Sequence, residues 1–282
     1  MVYLKYGKTF RDLRIQHELS LSDFQDLGIS KSSLSNFENG KSMIAFDTLD
    51  LALQKMNTSL HDYSLIINDG VQDDYISIFT EIEYAYYFND TKELQRIYED
   101  YREQDEQYQL IAYCAKGLYT HLNADELQQL ENYLNGVQYW GIYELSLLAN
   151  IGHLLNSTFI ETISSRLFSS SMTYTKILYY RVLVQRFLYK MILSYSDQNN
   201  QPAAKDLLEK SEQLLMPSDV LDRVKRSFAK SYYTYSFIDS KRGKKEMLEL
   251  LRCLKKIGAT EVRATLKREY TRKMTQKNRS EN

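Results

Sequence analysis

Few residues in this chain are able to stop a helix. Two prolines and ten glycines are spread over 282 residues, while Leu, Tyr, Lys, Glu, Gln and Ser recur at helical spacing, so an all-α protein is expected. With 43% hydrophobic residues the chain is long enough to bury one or two sizeable cores, and two domains are anticipated. Tyrosine is frequent, at 24. Such large amphipathic rings fill helix interfaces or line a groove for an extended ligand.

The most informative stretch is LSLSDFQDLGISKSSLSNFENGKSMIAFDTL, residues 19–49. It reads as a short helix, a sharp turn at Gly28 and a second helix opened by Ser30, the pattern of a helix-turn-helix. Phe24, Leu27, Ile29, Leu34, Phe37 and Leu49 would turn inward as a small core. Lys31, Ser32, Ser33, Ser35 and Asn36 are left on the outer face, where a recognition helix meets the major groove of double-stranded DNA. Ser30 would cap that helix, and its free amide end suits a phosphate. Ser20 or Ser22 would cap the helix before it, with Asp23 in its first turn. Asn39-Gly40 is a stop signal. Glu38 could read a cytosine amine or bond back to the first helix or the following loop.

Leu4–Gln16 reads as the first helix, with Leu4, Phe10, Leu13 and Ile15 facing the core. Lys8, Arg11 and Arg14 remain as phosphate contacts, Arg14 foremost, since cations there displace condensed counterions. Residues 48–56 form a further amphipathic helix with Leu49, Leu51, Leu53 and Met56 available to pack. The DNA-binding domain is set at residues 1–62, a polar, turn-rich linker at 63–72 and a repeat domain at 73–282.

Beyond the linker the helices come in pairs: 73–88 with 91–102, 108–121 with 125–133, 139–156 with 159–168, 173–195 with 203–215 and 218–237 with 244–257, before a last helix near Glu261. The recurrence, about 34 to 45 residues, is that of tetratricopeptide-like repeats, which stack to leave a concave surface suited to an extended peptide. Three helical stripes are candidates to line it. Tyr143 and Asn150, with His153 beside them, lie on the first; Tyr174, Arg181 and Gln185 on the second; Arg226, Lys230 and Tyr233 on the third. Side-chain amides suit a peptide backbone and a cation suits its carboxylate. His153 would titrate near neutrality and is a candidate pH sensor.

The runs Gly7-Lys8-Thr9-Phe10-Arg11-Asp12-Leu13-Arg14 and Ile29-Ser30-Lys31-Ser32-Ser33-Leu34-Ser35-Asn36-Phe37-Glu38-Asn39-Gly40 resemble the DNA-binding domain of Rgg-type (Rgg/GadR/MutR) regulators of Gram-positive bacteria. The stretch Trp140-Gly141-Ile142-Tyr143-Glu144-Leu145 with Asn150 is similar to another part of that family. The resemblance implies a five-helix XRE-like helix-turn-helix domain, a helical repeat domain, a homodimer, and a peptide-responsive regulator of quorum-sensing type in which Asn150 helps to hold the peptide. Two departures stand out. Asn36 occupies a position where the family commonly has Arg, so a different operator is expected. Ala45 stands near where some members carry a cysteine that cross-links the dimer, so no such bond is expected.

No cofactor, metal site or catalysis is expected. His17, His61, His121 and His153 lack any metal-ligand spacing, no phosphate-cradling loop or nucleophile motif occurs, and Cys114 and Cys253 stand apart from each other and from any CxxC. No apolar run approaches a membrane span and residues 1–10 lack a signal-peptide pattern, so a cytoplasmic location is expected. Charge is uneven: residues 241–282 carry 14 Lys+Arg against 5 Asp+Glu, whereas the chain as a whole is at −1. Such a basic end forms a solvated face, a contact with the acidic body of a second subunit or a contact with nucleic acid. Two other readings stay open. One is a protein-interaction adaptor with a residual helix-turn-helix, favoured by Leu21 and the near-neutral first domain; the other is a phage-type repressor without a peptide ligand.

Overall fold

The computed structural model describes residues 3–70, 74–169 and 176–280, and among them no strand occurs. The chain divides into two compact units, Met1–Asp74 and Tyr75–Asn282.

The first unit has five helical segments: α1 (Leu4–Gln16), a 3-10 segment (Leu21–Leu27), α2 (Lys31–Glu38), α3 (Phe46–Lys55) and α4 (Leu60–Ile67). Its core is built on three fully buried rings. Phe10 lies 5.7 Å from Phe24 and 5.5 Å from Phe37, both inclined to it. Such rings contribute about 2–3 kcal/mol each by burial. Local chemistry sets the breaks. Ser20 and Asp23 form a reciprocal cap on the 3-10 segment, Gly28 ends it at φ +76°, and the Ser30 hydroxyl accepts from the Ser33 amide at 3.1 Å to open α2. Both the Gly28 turn and the Ser30 cap were expected from sequence.

Three expectations for this unit are corrected. Residue 63 does not begin a linker: α4 runs to Ile67, and Tyr63 is buried with its hydroxyl donating to the Tyr6 carbonyl at 2.7 Å. A reciprocal Ser59/Asp62 cap starts that helix, a signal that the turn-rich Asn68-Asp69-Gly70 masked. Ile15 and Leu51 face solvent, as does much of Leu4, because the apolar stripe of each helix is narrower than its apolar content. Residues 71–73 of the expected linker lie outside the described residues.

The second unit consists of α5 (Asp74–Phe88), α6 (Thr91–Tyr101), α7 (Glu106–Gly117), α8 (Ala124–Gly136), α9 (Ile142–Ile151), α10 (Ser157–Ser169), α11 (Leu178–Asp197), α12 (Gln201–Gln213), α13 (Val220–Phe237), α14 (Ser240–Lys256) and α15 (Thr260–Ser280). The five helix pairs follow the expected order. Asn89-Asp90 and Asn199-Asn200 show how two residues separate the helices of a pair. The first takes a left-handed conformation, φ +57° and +58°, and the second accepts from an amide three residues on. The helix expected over 139–156 is shorter, because the Glu144 carboxylate bonds the Gly141 amide at 2.9 Å and fixes the start at Ile142. It tightens into a 3-10 turn at Gly152–Leu154, where Gly152 lies against the Phe187 ring. The start expected at residue 173 lies outside the described residues. α7, α9, α11 and α13 pack in succession, and one continuous apolar core runs through them.

Helix α1 approaches α2 so closely that a methyl group at Gly7 would sit 1.8 Å from the Phe37 carbonyl oxygen and 2.9 Å from the Glu38 Cα. Backbone cannot yield as a side chain does. Gly7→Ala is therefore expected to destabilise the first unit by about 3 kcal/mol, read as a lowered urea midpoint for residues 1–70.

Candidate functional site

Helix α2 leaves one polar face free. Lys31, Ser32, Ser33 and Asn36 are exposed and Ser35 is half-buried. Lys8 and Arg11 on α1 are exposed too. Ser32 bonds the capping Ser30 hydroxyl at 3.0 Å, and Asn39 donates to the Ser35 carbonyl at 2.7 Å, so α2 is held at both ends while its middle is open to a ligand.

Arg14 is placed differently from expectation. Its Nε and Nη2 donate to the two carboxylate oxygens of Glu38 at 2.6 and 2.9 Å, and Nη1 donates to the Leu19 carbonyl at 2.7 Å. The side chains are 11% and 5% exposed. The hydrogen bonds that Arg14 donates to Glu38 hold the guanidinium charged against the cost of its burial. Arg14 therefore ties the end of α1 to the end of α2 and has no donor fork left for a phosphate. The bond from Glu38 back to the first helix is the structural one of its two anticipated roles.

In the second unit, α5, α6, the end of α7, α11 and α15, with the turn after α9, line an open cavity of about 490 Å³, within the range of ligand pockets. A smaller recess lined by Glu83, Asn150, Arg186, Lys190, Lys225 and Leu266 adjoins it, and Tyr86, Tyr189, Lys190 and Thr265 line both. The basic last helix is one wall. Arg268 donates to the Tyr86 carbonyl at 2.9 Å, and Lys273, 2% exposed, pairs with Asp197 at the end of α11. The contact between the basic end and the body thus forms inside a single chain, while most of the bases of α14 remain solvated.

Of the expected peptide contacts, the structure brings Asn150 and His153 to this region. Asn150 donates to the Ser146 carbonyl at 2.9 Å and its own backbone carbonyl accepts from Lys190 at 2.9 Å. His153 lines the larger cavity with Nδ1 buried and without a partner. Burial, then the cations Lys190, Arg272 and Lys273, push its pKa well below 6.5, so it stays neutral through mild acidification and is a poor pH sensor. Arg181, Gln185 and Arg226 lie elsewhere. Arg181 is buried against Asp219, with Nε to Oδ2 at 2.7 Å; Gln185 donates to the Ser211 carbonyl at 2.8 Å; Arg226 is held by the Ser211 hydroxyl at 2.9 Å and by Glu212. They tie α11, α12 and α13 together instead of facing a ligand. Tyr143 donates to the Gln107 carbonyl at 2.6 Å and lines a separate shallow recess with Tyr75 and Tyr133. Lys230 is exposed, Tyr233 packs on Phe237 at 5.1 Å, and Tyr174 lies outside the described residues.

The cavity residues missed from sequence are Arg186, Tyr189, Lys190 and Asp197 on α11. Arg186, Lys190 and Asp197, four and seven apart, share a stripe turned about 100° from Arg181/Gln185, and Tyr189, four residues after Gln185, lies between the two. The three charges were the signal, on a helix otherwise apolar on most sides.

Residues 91–268 match the model of the C-terminal domain of the HTH-type transcriptional regulator Rgg, and residues 10–63 match a helix-turn-helix model. The fold and the free face of α2 thus define a helix-turn-helix transcriptional regulator. The chain belongs to the Rgg family. Among solved structures it is similar to the SHP pheromone receptor Rgg2 of Streptococcus dysgalactiae, at 23% identity and TM-score 0.78 over 95% of this chain and 98% of that one. It is also similar to a transcriptional regulator of Listeria monocytogenes, at 15% identity and TM-score 0.77 over 98% and 99%, and to PrgX in its iCF10 complex, at 15% and 0.68 over 95% of each chain. At such identities these likenesses speak to the fold. Antitoxin PezA of Streptococcus pneumoniae serotype 4 is 40% identical over 57 residues, which is 20% of this chain and 36% of the antitoxin. No helix among the described residues is long and apolar enough to cross a membrane.

Two outcomes follow from these charges. Removing one partner of the Arg14–Glu38 pair strands a buried charge, so Arg14→Met is expected to cost about 3 kcal/mol of first-unit stability, and adding Glu38→Met should recover most of it; denaturant titration of both variants checks this. Burial, then the neighbouring Arg186 guanidinium, pulls Lys190 down to about 7 and Lys225 down to about 8. The unfolded chain then binds protons that the folded chain does not, from about pH 7 up to the ordinary lysine range, so stability rises with pH across that window. The urea midpoint of the whole chain followed from pH 7 to 9 should climb more steeply than that of a Lys190→Met/Lys225→Met variant.

Proposed function

We propose that the chain is a cytoplasmic, homodimeric regulator that binds double-stranded operator DNA through residues 1–62 and answers to a short signalling peptide held in the cavity of residues 73–282. The observation that carries the reading is the cavity itself, walled by α5, α6, the end of α7, α11 and α15 and lined by groups able to meet a peptide backbone. The named receptors among its structural relatives, an SHP pheromone receptor and PrgX in complex with iCF10, support a peptide as the occupant. On the DNA side Lys31, Ser32, Ser33 and Asn36 are the proposed major-groove readers, with Ser35 at the edge of that face. Lys8, Arg11 and the amide end of α2 at Ser30 are the proposed phosphate contacts. Two copies would read two half-sites, since one small helix-turn-helix supplies few specific contacts.

Genomic footprinting in the host, with and without medium from a dense culture, tests both halves. Discrete promoter peaks that respond to the medium are expected. Peaks indifferent to it would indicate a repressor without a peptide ligand, and no peaks in either condition would leave a protein-interaction adaptor. On a site so found, Asn36→Ala is expected to relax sequence preference at one position at a cost of about 1–3 kcal/mol. Lys31→Ala should weaken binding across sequences and lower the salt slope by about 1.

A further inference from the structure

The walls of the two adjoining cavities carry six cationic side chains, Arg186, Lys190, Lys225, Arg268, Arg272 and Lys273, against three carboxylates, Glu83, Asp197 and Glu269. Every one of those carboxylates is already engaged. Glu83 pairs with Arg186, Asp197 with Lys273, and Glu269 with Arg272 at 2.7 Å. Arg268 is spent on the carbonyl of Tyr86 and the hydroxyl of Thr265. Two ammonium groups remain without a carboxylate at ion-pair distance among the described residues. Lys190 has only the Asn150 carbonyl and the face of Tyr86, 5.6 Å from its centroid. Lys225, 8% exposed, has only the face of Tyr87, also at 5.6 Å. Asp222, one turn away on the same helix, and Glu83 both attract Lys225 from beyond ion-pair distance.

These two ammonium groups lie over rings 5.8 Å apart and line one recess. Between the cavities stands Tyr189, 7% exposed, whose buried hydroxyl has no hydrogen-bond partner. Two recessed cations and an idle hydroxyl on the wall of a cavity form a set of donors that lacks an acceptor. An anionic oxygen pair entering this recess would bring acceptors of the kind these groups lack, and the aromatic floor would keep water from screening it.

We propose that Lys190, Lys225 and Tyr189 form a carboxylate subsite, which selects peptides that carry a carboxylate where they enter the recess between α5, α11, α13 and α15. The inference rests on the peptide reading of the cavity and adds a chemical requirement to it. The carboxylate is either the peptide C-terminus or an acidic side chain.

The test uses the full-length protein and four pools of synthetic octapeptides of randomised apolar sequence: free acid or carboxamide at the C-terminus, each with or without one aspartate. Peptides retained by the protein are identified by mass spectrometry. The acid-bearing pools should be retained at least about tenfold over the carboxamide pool without aspartate, the scale of a desolvated charge pair. Retention that follows the free C-terminus assigns the carboxylate to the chain end, and retention that follows aspartate assigns it to a side chain. The Lys190→Met/Lys225→Met variant should retain the acid-bearing pools no better than the carboxamide pool without aspartate. Equal retention of all four pools by the unaltered protein, a comparison that needs no variant to fold, would overturn the subsite and leave the peptide reading standing. Retention of none would remove both.

Discussion

Helix α11 is the constraint on which the second unit depends. Twelve of its twenty residues are buried, so it presents almost no face to bulk water, and a helix in that position cannot leave a polar group unanswered without cost. Its polar side chains are therefore committed in two directions. Toward α12 and α13, Arg181 meets Asp219 and Gln185 meets the Ser211 carbonyl, bonds that fix how successive helix pairs stack. Toward α5 and α15 the same helix offers Lys190 and Tyr189 to a cavity, where their partners are incomplete. One helix thus serves as the spine of the repeat and as the wall of its cavity, and what distinguishes the two roles is whether each polar group has been answered from within the chain.

The first unit solves a different problem with the same means. Its core is small, and three phenylalanine rings fill it, yet the angle at which α1 crosses α2 must be set finely if α2 is to present a fixed polar face. Gly7 permits the approach, and the Arg14–Glu38 pair fixes it with two parallel hydrogen bonds. Bidentate pairing supplies orientation as well as attraction. The charge most readily assigned to DNA from sequence is in this way part of the scaffold that aims the residues beside it.

This substitution of roles shows where sequence reasoning holds and where it stops. Helix order and pairing were readable, and so were the Ser30 cap and the Asn89-Asp90 break, because these act on their own neighbours; the Ser59/Asp62 cap and the Glu144 bond that starts α9 were not. Arg14 and Glu38 are 24 positions apart, and although Glu38 was anticipated to bond back to the first helix, Arg14 was still assigned to phosphate. Two alternatives that look alike in sequence, a free cation and a paired one, differ only in what the fold brings near. The second unit repeats the lesson. The Arg181/Gln185 stripe chosen on α11 and the Arg186/Lys190/Asp197 stripe that lines the cavity are one residue out of phase, and no local pattern says which of two polar stripes faces a neighbouring helix and which faces space. Nor does periodicity reveal that α15 returns to α5, more than 170 residues away, since that contact depends on how every intervening pair is stacked.

That return also suggests how occupancy of the cavity becomes a signal. Helix α15 is held to α5 and α11 by a few polar bonds, Arg268 to the Tyr86 carbonyl and Lys273 to Asp197, over a modest apolar contact at Leu266. A ligand between them touches the first and last helices of the unit at once, so its binding energy is divided among elements that share few other contacts. It shifts the population toward whichever arrangement of those helices it meets best, and only by the difference in affinity between arrangements. Helix α5 follows the DNA-binding unit directly in the chain. A change in how α5 is held is therefore the shortest covalent route by which the cavity would act on the first unit.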